Sequence, residues 1–270
     1  MSLISNLGKG VVKKFTAQKQ HFFPPLSWAS IKVLKHLDDI KEKQFSIGKV
    51  KLVYTRPYEI IHTYTELFQD EIYHFTTAES QPFIIDCGAH IGMSVVYFKL
   101  RYPNAKVIAF EPDKANRLLL EKNIALNKLS DVKVIPAAVW KENTTLRFSA
   151  VAGQGSKIDL HATNTIEVKA ERLHNYLQQP IDFLKIDIEG AEDVVLADCQ
   201  DQLHMVQNIF VEYHGTVHET SKLIGILALL EKAGFSVYIK MAADNLSQPY
   251  VNKVTGTAHD VQLNIFGYRK

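Results

Sequence analysis

The chain has 270 residues, of which 46% are hydrophobic and 22% charged, and a chain of this size buries a large core without disulfides or structural metals. Its formal charge of +2 is too small to attract nucleic acid, so we expect no nucleic-acid partner. Cys87 and Cys199 have no paired spacing, which argues against a disulfide framework or a zinc site. No apolar stretch has transmembrane length and the start lacks the apolar core of a signal peptide, so we expect a cytoplasmic protein.

Residues 1–80 are predicted to form a helical extension with a short β segment, which would act as a lid or as a dimerisation element. Its first twenty residues place Leu3, Leu7, Val11 and Phe15 on one helical face, beside several lysines. We expect this basic amphipathic helix to pack on the body of the protein or on a second subunit. Contact with an anionic membrane surface is the alternative.

The rest of the extension is predicted to contain a helix, a strand and a second helix. The first helix lies in SWASIKVLKHLDDI, with Ser27 or Ser30 as its cap. The strand is KVKLVYT, and the second helix is EIIHTYTELFQDEIYHF. Six aromatic residues of this region could line a lid, but core packing is the preferred interpretation. They are Tyr54, Tyr58, Tyr64, Phe68, Tyr73 and Phe75.

Residues 81–270 are predicted to form one α/β domain, because apolar strands alternate with helical segments along this part of the chain. Repeated βα units of this kind imply a mostly parallel sheet with helices on both faces. The strands are FIIDCG, KVIAFEP, VKVIPAAV, IDFLKIDI and NIFVEYHG, with TLRFSAV and TIEVKA on either side of the turn GQGSK. FSVYIKMA and VQLNIFGYRK close the domain as an antiparallel hairpin at the edge of the sheet.

The first strand of this domain ends at Asp86 and is followed by Gly88 and Gly92. Ligands of open α/β sheets bind beyond the carboxyl ends of the strands, so the loop Asp86–Gly92, which includes Ala89 and His90, is predicted to bind a ligand. An aspartate stands where a dinucleotide loop would have its first glycine, and no Lys-Ser or Lys-Thr follows as in a P-loop. An acid suits a cation, and S-adenosylmethionine carries an ammonium and a sulfonium.

The second strand ends in Glu111, Pro112 and Asp113. An acid at this position can accept hydrogen bonds from both ribose hydroxyls of a nucleoside. Pro112 stops further strand pairing, and Asp113 can cap the next helix. Two acids at adjacent strand ends indicate an adenosine-containing donor more specifically than either acid alone.

The later strands carry the candidate catalytic groups, Lys185, Asp187 and Glu189 in LKIDIEG and Glu212 and His214 in FVEYHG. Methylation of an alcohol needs a general base, and His214 is the candidate, oriented by Glu212 or Asp187. Lys185 could pair with the acids or polarise the hydroxyl. An alternative is a Mg²⁺ or Ca²⁺ ion held by Asp187, Glu189 and Glu212. A purely structural ion-pair network is the third interpretation.

The segments FIIDCGAHIGMSVVYF, VIAFEPD and IDFLKIDIEGAE resemble the FkbM family of S-adenosylmethionine-dependent methyltransferases. The resemblance runs from about Tyr54 to the C terminus, and IDFLKIDIEGAE is its most specific part. It implies a Rossmann-like, seven-stranded sheet with a reversed last strand. It also implies O-methylation of a hydroxyl group on a sugar, a glycan or a natural product.

The resemblance also implies roles for individual residues. It implies donor binding by Asp86, Gly88, Gly92 and Glu111, and an active-site role for Lys185, Asp187 and Glu189. Two other functions remain as alternatives: a non-catalytic S-adenosylmethionine-binding scaffold or partner protein, and a nucleic-acid methyltransferase. The second is disfavoured, because no Asn/Asp-Pro-Pro-aromatic motif follows the strand that contains Lys185.

Overall fold

The computed structural model describes residues 22–149, 165–246, 248–251 and 259–270. The predicted amphipathic helix at the N terminus and the turn GQGSK lie outside the described residues. The helices are α1 (Trp28–Lys35), α2 (Pro57–Tyr64), α3 (Met93–Arg101), α4 (Lys114–Leu126), α5 (Glu192–Asp198) and α6 (Thr220–Lys232). A π-helix, Thr65–Gln69, continues α2, and short 3-10 helices span Leu173–Tyr176 and Leu203–Met205.

Strands form three sheets. They are β1 (Lys43–Ile47), β2 (Val50–Tyr54), β3 (Phe83–Cys87), β4 (Lys106–Phe110), β5 (Val132–Ile135), β6 (Ala138–Trp140), β7 (Thr144–Ser149), β8 (Thr165–Arg172), β9 (Ile181–Ile186), β10 (Val206–Gly215), β11 (Ser236–Ala243) and β12 (Val261–Tyr268). The main sheet has seven strands in the order β11-β12-β10-β9-β3-β4-β5. Among the described strands of this sheet, β12 runs antiparallel to both of its neighbours, β10 and β11, and the other neighbouring pairs are parallel. The predicted seven-stranded sheet with a reversed last strand is therefore confirmed.

Successive residues of the central strands point to opposite faces of the sheet, and both faces are covered. Ile84 belongs to the apolar cluster beneath α3 and α4, whereas Ile85 belongs to the cluster beneath α5 and α6. This burial on two sides explains why the strands are nearly continuous apolar runs. It also leaves the strand ends as the place where polar side chains can gather.

The N-terminal extension shares the first of these clusters with the α/β domain. Phe23 and Phe68 contact Tyr97 of α3, with ring centroids 5.6 and 5.7 Å apart. The Asn123 side chain of α4 donates to the carbonyl oxygens of Val53 and Ile91 at 3.0 and 2.8 Å. The extension is therefore packed against the domain, while a lid or dimer role stays a prediction.

Within the extension, the structure agrees in part with the predicted elements. Ser27 caps α1, because its side chain accepts from the N–H of Ser30 at 3.0 Å. The sequence did not predict strand β1, which pairs with β2. Its residues alternate between partly buried and exposed, so it lacks the apolar run of a core strand. The predicted second helix was too long, because regular helix ends at Gln69. Five of the six aromatic residues are buried as expected, whereas Tyr58 is 70% exposed.

The prediction of VKVIPAAV as one strand was wrong. Residues before Pro136 form β5 in the main sheet, and those after it form β6 in a three-stranded sheet with β7 and β8. Proline lacks the N–H that a strand donates to its neighbour, so the ladder breaks there. In the described parts of the chain, no helix has the length and apolar character needed to cross a membrane.

Candidate active site

The loop between β3 and α3 depends on glycine at two positions. Gly88 has a φ of +87° and Gly92 a φ of +84°, values that side-chain-bearing residues rarely adopt. The N–H groups of Gly88 and Ala89 both donate to the carbonyl oxygen of Phe110, at 3.1 and 2.9 Å. A Cβ atom at Gly88 would lie 1.9 Å from the carbonyl oxygen of Asp187. The loop is thus held tightly between the ends of β4 and β9.

Replacing Gly88 with alanine is expected to lower the free energy of unfolding by at least about 2 kcal/mol, since the backbone conformation and the contact with Asp187 both oppose a methyl group. Urea unfolding measures the change. The matched control is Gly225→Ala in α6, where an added Cβ meets nothing within 4 Å and alanine should stabilise the helix by about 0.5–1 kcal/mol. Equal effects of the two substitutions would contradict this account of the loop.

Glu111, just after β4, is tied to the same loop. Its two carboxylate oxygens accept from the N–H of His90 at 2.8 Å and from the N–H of Asp113 at 2.9 Å. His90 has a φ of +50°, which aims this N–H at the acid. Pro112 lies between Glu111 and Asp113, and Asp113 caps α4 by accepting from the N–H of Asn116 at 2.8 Å. Burial raises the pKa of Glu111 to about 7, against the opposing effect of these two N–H donors.

Asp86 and Lys185 form a buried ion pair beneath the loop. Asp86 is fully buried and accepts from the Ser94 hydroxyl at 2.5 Å. Lys185 Nζ lies 3.3 Å from Asp86 Oδ1 and 3.1 Å from Asp187 Oδ2, and it donates to the carbonyl oxygen of Gly88 at 2.8 Å. Burial lowers the pKa of Lys185, but the charges of Asp187 and Asp86 outweigh it and hold the pKa above its usual value. The ammonium group of Lys185 thus links the ends of β3 and β9. Direct binding of the donor by Asp86 stays a prediction.

The strands β9 and β10 are parallel neighbours, so the groups at their carboxyl ends come together as expected. His214 is 6% exposed. Its Nε2 lies 3.6 Å from Glu212 Oε1 and 3.8 Å from Glu189 Oε2. Glu189 projects from a turn, with a φ of +61°, rather than from the strand, which ends at Ile186.

Glu192, at the start of α5, was not recognised from the sequence as a site residue. It is 1% exposed, and its Oε1 accepts from the N–H of Gly190 at 3.0 Å and from the N–H of Ile188 at 3.3 Å. The same oxygen lies 3.3 Å from His214 Nδ1. Glu192 therefore orients His214, the role predicted for Glu212 or Asp187. The available signal was its place as the second acid in IEGAE, three residues after Glu189.

The surrounding carboxylates decide the charge of His214. Burial lowers its pKa, but the hydrogen bond with Glu192 and the charges of Glu189 and Asp187 outweigh burial and raise the pKa to about 10. Burial and the charge of Asp187 raise the pKa of Glu212 to about 8. The sequence suggested a histidine that titrates near neutral pH. With its pKa raised in this way, the imidazole of His214 instead stays protonated at neutral pH.

Asp187, Glu212 and His214 also satisfy the spacing of a metal site, since one ligand atom from each lies within 4.8 Å of the others. This set replaces Glu189 of the predicted metal site with His214. One imidazole and two carboxylates suit several divalent cations. Binding of a divalent cation at this site stays a prediction.

The sheet order, the glycine loop after β3 and the acid after β4 together define a Rossmann-like methyltransferase fold. The family described as Methyltransferase FkbM domain matches residues 86–237. The chain belongs to this FkbM family of S-adenosylmethionine-dependent methyltransferases. The matched range includes the loop between β3 and α3, Glu111 and all the strand-end groups that surround His214. It does not include the N-terminal extension.

Individual relatives agree with this assignment. The chain is 31% identical over 213 residues to Methyltransferase sdnD of Sordaria araneosa, covering 64% of this chain and 81% of that protein. It is 25% identical over 214 residues to 31-O-demethyl-FK506 methyltransferase FkbM of Streptomyces tacrolimicus, covering 64% and 81%. A crystal structure of methyltransferase FkbM from Methylobacillus flagellatus KT matches with a TM-score of 0.50 at 16% identity, over 74% of this chain. The match covers 46% of that protein, less than half its length, and shows the fold alone.

Proposed function

We propose that the protein transfers a methyl group from S-adenosylmethionine to a hydroxyl group of a sugar, a glycan or a natural product. The observation that carries the proposal is the meeting of two sets of residues at one edge of the sheet. Glu111 and the glycine loop form the donor side, and His214 with its carboxylates forms the acceptor side. The name of the Streptomyces relative, which specifies an oxygen of FK506, supports oxygen as the acceptor atom.

The residues present fit the donor. Glu111 is anchored by two backbone N–H groups, and a carboxylate held in this way can accept hydrogen bonds from ribose hydroxyls. The first N–H groups of α3 suit the methionine carboxylate, because they lack partners within the helix. The negative charges of Asp187 and Glu189 suit a cationic ligand. When bound, S-adenosylmethionine supplies an electrophilic methyl group on a positively charged sulfur.

His214 is proposed to take the proton of the acceptor hydroxyl at Nε2. Glu192 holds Nδ1 from the opposite side of the ring and so leaves Nε2 directed toward the other acids. The imidazole can accept a proton only if its pKa falls toward neutrality, and a cation bound beside it has that effect. Base catalysis is therefore expected in the complex with donor rather than in the free protein.

Replacing Glu111 with glutamine is expected to weaken binding of S-adenosylhomocysteine by about 10- to 100-fold, because hydrogen bonds to a charged acceptor are lost. In the unchanged protein, the carboxylate is protonated below its pKa of about 7. The affinity of the unchanged protein for S-adenosylhomocysteine should therefore decrease as the pH falls below about 7. The decrease should be at most about tenfold per pH unit. Calorimetry measures both effects, with NADH as the negative ligand.

The control for this measurement is Glu121→Gln on the exposed side of α4, which should change neither the affinity nor its pH dependence. Absence of S-adenosylhomocysteine binding by the folded, unchanged protein would refute the donor assignment. Binding without methyl transfer to any acceptor would favour the non-catalytic scaffold.

A metal-assisted reaction is the second candidate, and the spacing of Asp187, Glu212 and His214 favours it. These three side chains would hold a divalent cation, which would acidify the acceptor hydroxyl. Methyl transfer that is lost with EDTA and restored by Mg²⁺ or Ca²⁺ would support this reaction. Activity that is unchanged by EDTA would leave His214 as the proposed base.

A further inference from the structure

Helix α2 and the π-helix after it present a polar face that the core does not use. Glu59, His62 and Glu66 recur three and four residues apart, and His62 Nδ1 lies 3.3 Å from Glu66 Oε2. On the opposite side of the same segment, Ile60, Tyr64 and Phe68 are fully buried. The spacing thus separates one polar face from the core-facing residues.

This face meets the candidate active site at its first residue, since Glu59 Oε2 lies 3.9 Å from Nε2 of His90 in the loop between β3 and α3. Farther along the face, the hydrogen bond with Glu66 raises the pKa of His62 against the effect of burial, and the charge of Glu212 adds to the rise. The polar face therefore begins beside the loop and is within electrostatic reach of Glu212 on β10.

The three side chains are available to a ligand. The exposed fractions of the side chains are 30% for Glu59, 56% for His62 and 29% for Glu66. None of them belongs to the apolar core, and the mechanism proposed above does not require them. They also lie outside the residues that match the family, 86–237, so they can differ among members that share one methyl-transfer site.

We propose that Glu59, His62 and Glu66 form the acceptor-recognition face of this enzyme, and that it selects uncharged, hydroxyl-rich acceptors over anionic ones. Each hydroxyl group can donate to a carboxylate or to an imidazole nitrogen, so several can be held at once. The carboxylates of Glu59 and Glu66 repel an acidic acceptor. The proposal rests on the proposed methyl-transfer function and narrows its acceptor.

The test compares three probes with the full chain saturated with S-adenosylhomocysteine. They are methyl α-D-glucopyranoside, glucuronic acid and cyclohexanol, which represent a neutral polyol, its anionic counterpart and a single apolar alcohol. Ligand-observed NMR titration gives each affinity. The neutral glycoside is expected to bind at least tenfold more tightly than either of the others. Binding of glucuronic acid or cyclohexanol equal to that of the glycoside would overturn the proposal, as would no binding of the glycoside.

Variants test whether α2 and the π-helix after it provide the selectivity. His62→Ala and Glu66→Gln are each expected to weaken glycoside binding by fivefold or more, while the affinity for S-adenosylhomocysteine and the Tm stay unchanged. Glu231→Gln, on the exposed side of α6, is the matched control and should change nothing. Unchanged glycoside affinity in both the His62→Ala and the Glu66→Gln protein would overturn the proposal. Failure of the proposed methyl-transfer function can be distinguished from failure of this acceptor proposal, because in the first case S-adenosylhomocysteine itself would not bind.

Discussion

Replacing Lys185 with methionine is expected to lower the free energy of unfolding by about 3–5 kcal/mol, the cost of leaving a buried charge without its partner. Lys185 is 3% exposed, and Asp86 beside it is fully buried. Methionine has a similar shape but no charge, so the carboxylate of Asp86 keeps only its hydrogen bond from Ser94. The carbonyl oxygen of Gly88 would lose its donor as well. Urea unfolding followed by circular dichroism measures the loss.

Two further variants identify the cause. Asp86→Asn combined with Lys185→Met removes both members of the pair and should recover part of the lost stability. Lys133→Met, at an exposed position of β5, should change the stability by less than about 0.5 kcal/mol. If the single and double variants of the pair were equally unstable, loss of side-chain packing rather than an unpaired charge would explain the result.

Replacing His214 with glutamine is expected to reduce methyl transfer by about 10²- to 10⁴-fold, the range that general base catalysis contributes. Binding of S-adenosylhomocysteine should stay within about twofold, because Glu111 and the glycine loop form the donor side. In the unchanged protein with donor bound, turnover should rise with pH as the imidazole loses its proton. The rise should occur below the free protein's pKa of about 10, because the bound cation opposes the carboxylates that raise this pKa. Single-turnover kinetics with saturating donor measure the chemical step directly.

The matched control is His218→Gln, because His218 is an exposed histidine four residues along the chain and should leave turnover unchanged. Glutamine at position 214 keeps a polar side chain beside the buried Glu192, and thermal unfolding verifies that the variant is folded. A folded His214→Gln protein with full turnover would exclude base catalysis by this residue. Loss of donor affinity in the same variant would contradict the division between donor and acceptor sides.

Much of the fold follows from local patterns in the chain. The apolar runs that alternate with helical segments predict a mostly parallel sheet with helices on both faces and an antiparallel hairpin at its edge, as observed. The count of seven strands was implied by the family resemblance. These features depend on neighbouring residues, through side-chain alternation and backbone conformation. The break at Pro136 had a local signal too, but the second sheet that β6 joins is formed with residues about thirty positions away.

The sequence by itself determined which strands end in polar residues, and therefore that Glu111, Asp187 and His214 would gather at one edge of the sheet. Tertiary structure decided how those groups interact. Glu192 reaches His214 across 22 positions of the chain, and Lys185 reaches Asp86 across 99. Such contacts, and the pKa values that follow from burial and neighbouring charges, depend on distances in space that spacing along a strand does not encode.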